Sequence, residues 1–219
     1  MPSDMELFDR WCADDLRAGN ELFERHFQSM QRFFDRKIEN DSHDLIQETF
    51  LACIKSRTQF RKCSSFRTYL FGIARITLLS YWRKQRRDLA TINFEQSSVM
   101  DLRTSIGTQI VRQDERGQLL IALAKLPVDS QSLLELYYWH ELDAKELSDI
   151  FGVEVPTIRS RLFRARSVLR KHLEEVGVYT SDTSDDKNRT QKEASHNESV
   201  GCLVKRHGFN SREPGHKKK

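Results

Sequence analysis

Residues 144–166 read AKELSDIFGVEVPTIRSRLFRAR, and this stretch decides the fold of the second half of the chain. Leu147, Ile150 and Phe151 recur at helical spacing and give a first short helix its apolar side. Gly152 follows, the residue type that adopts the left-handed turn closing a helix without strain. Val153 fills the angle, and Pro156 opens a second helix in the first turn, where a missing N–H is harmless. On that second helix Ile158, Leu162, Ala165 and Leu169 share one face. From position 159 to 171 there are six Lys or Arg and no acid. A glycine turn, a proline start, two apolar stripes and a basic face together form a helix-turn-helix. Its second helix is built to enter a major groove, where arginine bonds guanine edges and Ser, Thr and Arg hold phosphates.

Working upstream, helices extend over residues 118–126 and 130–140, with Pro127 redirecting the chain between them. Residues 90–108 are rich in Thr, Ser, Asn and Gln and lack a sustained apolar period, so 88–116 reads as a flexible linker. Before it lies a long basic and aromatic helix. Between Arg61 and Arg87 there are eight Lys or Arg and no Asp or Glu, interleaved with Phe66, Tyr69, Phe71, Tyr81 and Trp82. Ser64 or Ser65 caps this helix, and Phe66, Tyr69, Leu70, Ile73 and Thr77 form its expected core stripe. Arg75, Leu79, Trp82 and Arg86 fall on the other side. Trp82 beside Arg83 and Arg86 has the makings of a stacking site for an unpaired base, or else packs in the core.

A shorter helix precedes it, capped by Asp41 or Ser42, with the stripe Leu45, Ile46, Phe50, Cys53 and Ile54. Asp44, Gln47 and Glu48 share the opposite face. Acids there serve helix-dipole complementarity or dock a basic partner. Nearest the N-terminus, Gly19-Asn20 is expected to end one short helix and cap the next, which carries Leu22, Phe23, Phe27, Met30, Phe33 and Phe34. The expected architecture is all-α. It has helical domains over 1–87 and 117–176, the linker 88–116, and a disordered tail 177–219 of Ser, Asp, Asn, Lys, Thr and Glu.

Bulk composition agrees with thin-cored helical domains: 38% hydrophobic and 31% charged residues in 219, with a formal net charge of +4. Cys12, Cys53, Cys63 and Cys202 form no CxxC pair, so reduced thiols in a cytoplasmic protein are expected. Cys202 with His207 and His216 is a weak metal signal. No apolar run approaches membrane-spanning length and residues 1–6 lack the form of a signal peptide, so no membrane insertion is expected. No catalytic set is visible: there is no phosphate-binding GxxxxGK[ST] loop, no HExxH, and His26, His43, His140 and His172 stand singly. No cofactor is expected.

Taken together, DLIQETFLACI (44–54), SSFRTYLFGIARITLLSYWRKQRR (64–87) and the block from 123 to 173 resemble the extracytoplasmic-function sigma factors. The resemblance covers roughly 13–175, with its two blocks in the family's order. It implies a sigma factor that binds core RNA polymerase and directs promoter recognition and opening. The first domain would recognise and help melt the −10 element, and the second would read the −35 element. Asp44, Gln47 and Glu48 match the helix that docks on the polymerase β′ coiled coil, while the second domain would sit on the β flap. The loop 57–65 would capture a flipped base. Arg61, Lys62, Arg75, Ile76, Ser80, Trp82, Arg83, Arg86 and Arg87 would hold the −10 strand, and Thr157, Arg159, Ser160, Arg161, Arg164 and Arg166 the −35 duplex. An anti-sigma factor is a further implied partner. Many relatives carry Asn at the position of Ile76 and Asp at that of Ser80, so the resemblance carries no −10 base preference over to this chain, though the fold it implies is unaffected. The alternative is a stand-alone helix-turn-helix regulator, which would need neither the acidic docking face nor the basic helix.

Overall fold

The computed structural model describes residues 1–38, 41–60, 63–85, 95–99 and 115–175. They form eight α-helices and no strand. The helices are α1 (Asp4–Cys12), α2 (Leu16–Asp35), α3 (Ser42–Ser56), α4 (Phe66–Gln85), α5 (Glu115–Ala124), α6 (Val128–Tyr138), α7 (Ala144–Phe151) and α8 (Val155–Glu175), with a short 3₁₀ turn at Arg57–Gln59. Arg61, Lys62, Arg86, Arg87 and the expected tail 177–219 lie outside the described residues.

The N-terminal turn differs from the expected one. Helix α1 is fastened by a reciprocal cap between Ser3 and Glu6. The chain reverses at Asp14, a left-handed residue with φ 65°. Asp15 then caps α2 by accepting from the N–H groups of Arg17 and Ala18 at 3.0 and 3.2 Å. Gly19 therefore does not end a helix but lies inside α2. Its missing side chain makes room for Trp11: a Cβ there would stand 2.5 Å from Trp11 Cδ1. The gain is a packed aromatic layer in which Trp11 meets Phe8 and Phe23 edge-on.

Helices α1, α2 and α3 pack with α4 into the first domain. Ser65 caps α4 by accepting from the N–H of Thr68 at 3.1 Å. Tyr81, near the other end of α4, donates to Asp41 at the start of α3. Helix α4 is buried on more than one side. Phe66, Leu70, Phe71, Ala74, Thr77, Leu78, Leu79 and Trp82 are all covered, whereas Tyr69 and Ile73 are only partly so. A helix apolar nearly all round serves two neighbours. Here one side meets the first domain, and another meets α7 of the second.

In α3, Leu45, Ile46 and Cys53 are buried as expected, but Ile54 is 42% exposed and Thr49 takes a core place. The Thr49 hydroxyl is satisfied by donating to the Leu45 carbonyl at 2.7 Å. Burial pushes the Cys53 thiol up to about 12, so it stays protonated and unreactive. In the second domain α5, α6 and α7 surround α8, whose buried face is Ile158, Leu162, Ala165, Leu169 and Leu173. Burial of each Ile or Leu side chain on this face contributes about 1.5–3 kcal/mol, and the small Ala165 less. Part of the linker is fixed on this domain: Val99 is fully buried, and Val128 donates its N–H to the Ser97 carbonyl at 3.0 Å.

Candidate nucleic-acid interface

The helix-turn-helix is assembled as its sequence implies. Asp143 and Glu146 form a reciprocal cap that starts α7. Gly152 closes α7 at φ 65° and ψ 35°, and the Ser148 hydroxyl ties the turn by donating to the Val153 carbonyl at 2.6 Å. This sets the first turns of α8 against α7 and leaves Arg159, Ser160 and Arg164 exposed, with Thr157 half-buried beside them. Phe163, which the sequence reading did not assign to DNA, is 46% exposed in the same region. An open aromatic on a basic helix is the signal that would have found it; such a ring can meet a thymine methyl.

Two of the six predicted arginine and hydroxyl positions are otherwise engaged. Arg161 pairs with Glu95 of the linker at 2.7 Å. The Arg166 guanidinium packs over the Tyr137 and Tyr138 rings at 5.7 and 5.9 Å. Arg166 lies two turns beyond Arg159, where α6 covers that side of α8, so in this arrangement it supports the domain body rather than offering a groove contact.

The long helix α4 also divides its predicted set. Ile76 is 63% exposed and Arg83 and Lys84 are exposed, with Ser80 half-buried between them. Their spacing places Ile76, Ser80 and Arg83 on one outward side. Of the two readings of Trp82, the structure takes the core one and corrects its place among the −10 contacts: it is only 5% exposed, so its ring is no stacking platform here. Arg75 is turned toward the second domain. It makes a forked contact with Asp129 at 2.8–3.1 Å and lies 4.6 Å from the Phe151 ring centre. At the base of the loop 57–65, Phe60 stacks on Tyr69 with centroids 4.4 Å apart. Tyr69 in turn donates to the Ser56 carbonyl.

The acidic face is separate. Asp44, Gln47 and Glu48 are all exposed on α3, with Leu51, 53% exposed, one turn further on. Carboxylates and an open leucine away from the basic helices suit a basic partner with some apolar surface, not DNA. Among the described residues no group of His, Cys, Asp and Glu is placed to hold a metal ion, and no helix is long and apolar enough to cross a membrane.

The sequence matches the family described as Sigma-70 region 2 over residues 22–88 and that described as Sigma-70, region 4 over residues 116–169. The chain belongs to the extracytoplasmic-function sigma factors. It is 28% identical over 182 residues to the ECF RNA polymerase sigma-E factor of Haemophilus influenzae, covering 78% of this chain and 96% of that one. It is 27% identical over 151 residues to the RNA polymerase sigma factor HrpL of Pseudomonas syringae pv. syringae, covering 67% and 82%. Its fold resembles that of the sigma factor RpoE of Bartonella quintana, solved in complex with the anti-sigma factor NepR. That likeness has a TM-score of 0.55 at 21% identity and covers 71% of this chain and 96% of the other. As a sigma factor the chain acts in promoter-directed initiation of transcription. Two matched regions in this order set aside a stand-alone helix-turn-helix regulator.

Proposed function

We propose that this sigma factor divides its work among three faces. Asp44, Gln47 and Glu48 dock core polymerase through the β′ coiled coil, and Leu51 adds apolar contact at the edge. Ile76, Ser80 and Arg83 face the −10 element, together with Arg61, Lys62, Arg86 and Arg87, and Arg75 joins them when it leaves Asp129. Thr157, Arg159, Ser160 and Arg164 read or hold the −35 duplex, with Arg161 once it leaves Glu95, while the second domain rests on the β flap. Phosphate contacts supply salt-dependent affinity, and base contacts supply discrimination. Opening the duplex costs a few kcal/mol per base taken from the stack, offset by protein–base contacts and polymerase binding. No reaction is assigned to the chain; phosphodiester chemistry belongs to the polymerase. The domains are 1–87 and 117–176, and the site of action is the cytoplasm. An anti-sigma factor is the expected antagonist, a reading supported by the fold shared with a sigma factor captured with one.

The observation that carries this reading is the segregation of charge: an exposed acidic face on α3, and exposed basic faces on α4 and on the first turns of α8. Its test is a paired binding experiment. The Asp44→Ala/Glu48→Ala variant loses core-polymerase binding and keeps its affinity for promoter duplex. Equal loss of both would refute the docking assignment.

A further inference from the structure

The outward side of α4 is bare in one place. Ile76 is 63% exposed and is the only exposed residue of the helix before Arg83. One open isoleucine is common on a protein surface, but a second feature stands one turn before it. Gly72 lies inside the helix, and no described atom comes within 4 Å of where its Cβ would be. A glycine in mid-helix is less stable than an alanine. Gly19 is required by the Trp11 ring, whereas an alanine would fit at position 72 without touching anything described. What the missing side chain provides there is backbone that a partner can approach closely.

The rest of the strip points to the kind of partner. Ser80 follows Ile76 by one turn, and the exposed Arg83 and Lys84 stand at the end of the helix. No Asp or Glu lies between Arg61 and Arg87, so nothing on this helix repels a phosphate. Ile76 and Arg83 are about 10 Å apart along the axis, the length of about three nucleotide steps. One strand can therefore meet the cation with its backbone and the isoleucine with a base. An isoleucine offers no hydrogen bond. Against an adenine, guanine or cytosine edge it would desolvate donors or acceptors and replace none of their bonds. Thymine alone carries an apolar group on its edge, the C5-methyl. The β-branched side chain also has little rotamer freedom to lose when it is fixed against that methyl.

We propose that Ile76 determines base preference in the −10 element by packing on the C5-methyl group of one thymine, with the open backbone at Gly72 giving the strand room to approach. This rests on the reading of the outward side of α4 as the −10 surface, and it adds which base that surface selects and by what contact. Discrimination then comes from the methyl group, while Arg83 contributes affinity that does not depend on sequence.

The test uses the full chain with core polymerase, on the promoter that gives the strongest run-off transcript. Each thymine of its −10 element, on either strand, is replaced singly by deoxyuridine, which lacks only the methyl group. Run-off yield is read at limiting holoenzyme, and circular dichroism verifies that each variant is folded. For wild type, deoxyuridine at one position lowers the yield about three- to fivefold, the worth of one buried methyl. Ile76→Ala falls to that lower yield on the thymine template and loses nothing further with deoxyuridine; Ile76→Val keeps part of the difference. Gly72→Ala melts at a higher temperature than wild type yet gives a lower yield. A methyl dependence that survives Ile76→Ala, or that is absent at every thymine, would overturn the proposal, as would a −10 element with no thymine on either strand. Ile76→Ala weakened alike on thymine and deoxyuridine templates would leave α4 facing the −10 element and remove the methyl contact. Ile76→Ala with wild-type yield on every template would remove Ile76 from the −10 surface altogether, and the proposal with it. Wild-type yield from a stabilised Gly72→Ala chain would overturn the role given to the open backbone.

Discussion

The Lys37 ammonium and the Glu135 carboxylate meet at 2.5 Å with neither side chain exposed to solvent. They come from opposite halves of the chain. Lys37 also donates to the Phe33 carbonyl at 3.0 Å, and Gln131 donates to the other Glu135 oxygen at 2.9 Å. Burial lowers the Lys37 pKa, and the Glu135 charge works against that shift. Two charges removed from water are tolerable only together. Glu135→Gln leaves Lys37 buried without its counter-ion and is expected to destabilise the closed form by about 3–5 kcal/mol. The Lys37→Met/Glu135→Gln double variant recovers most of that loss. Chemical denaturation of all four chains in a double-mutant cycle checks it; additive losses would mean the pair is not coupled.

Acid should open the same interface. The His140 ring lies 4.6 Å from the Phe71 ring, and Arg67, Arg36, Lys37 and Arg32 surround it with positive charge. Burial first, and then these cations, push its pKa down to about 2. A depressed value means stability that is present above the unfolded pKa near 6.5 and lost as pH falls below it. The loss is about 1.4 kcal/mol per pH unit while the ring stays buried. Denaturation at about pH 7.5 and about pH 5.5 measures it, and His140→Gln should flatten the dependence. A wild-type stability unchanged across that range would refute the assignment.

The exposed arginines of α8 should separate into readers and anchors. Arg164→Ala or Arg159→Ala is expected to lower discrimination between the cognate −35 element and a scrambled one by about 1–3 kcal/mol if the side chain reads a base. A phosphate anchor instead weakens both duplexes alike and reduces the salt slope by about one. Arg166→Ala should leave discrimination unchanged and lower thermal stability, because its guanidinium packs on Tyr137 and Tyr138.

Gly19→Ala tests the N-terminal packing. In an open helix this change is favourable by about 1 kcal/mol. Here the added methyl meets Trp11 at 2.5 Å, so destabilisation of about 1–3 kcal/mol is expected from overpacking. A melting temperature at or above wild type would show that Trp11 moves aside freely.

The second domain was legible in the sequence because its determinants are local. The glycine turn, the cap at Asp143 and the apolar stripe of α8 lie within about thirty residues and agree with one another. Gly19 misled for the same reason: glycine next to asparagine is a local stop signal, and only the distant Trp11 ring explains why it sits mid-helix. Helix α4 was read with one core stripe, yet a second face is covered by α7, and that partner lies about eighty residues further on. The period leaves Trp82 open between core and base contact and puts Ile54 in the core stripe, where the structure exposes it, because a period shows which residues share a face, not how many neighbours the helix has. Glu135 did leave a signal, an acid alone within SLLELYYW, although nothing nearby named Lys37 as its partner.

Run-off transcription measures whether this chain confers promoter specificity on RNA polymerase. Core polymerase is given a pool of promoter fragments from the source genome, with and without the full-length chain. Discrete transcripts are expected that appear only with the chain and vanish with Asp44→Ala/Glu48→Ala. Sequence-specific DNA binding with no polymerase association and no such transcripts would contradict it.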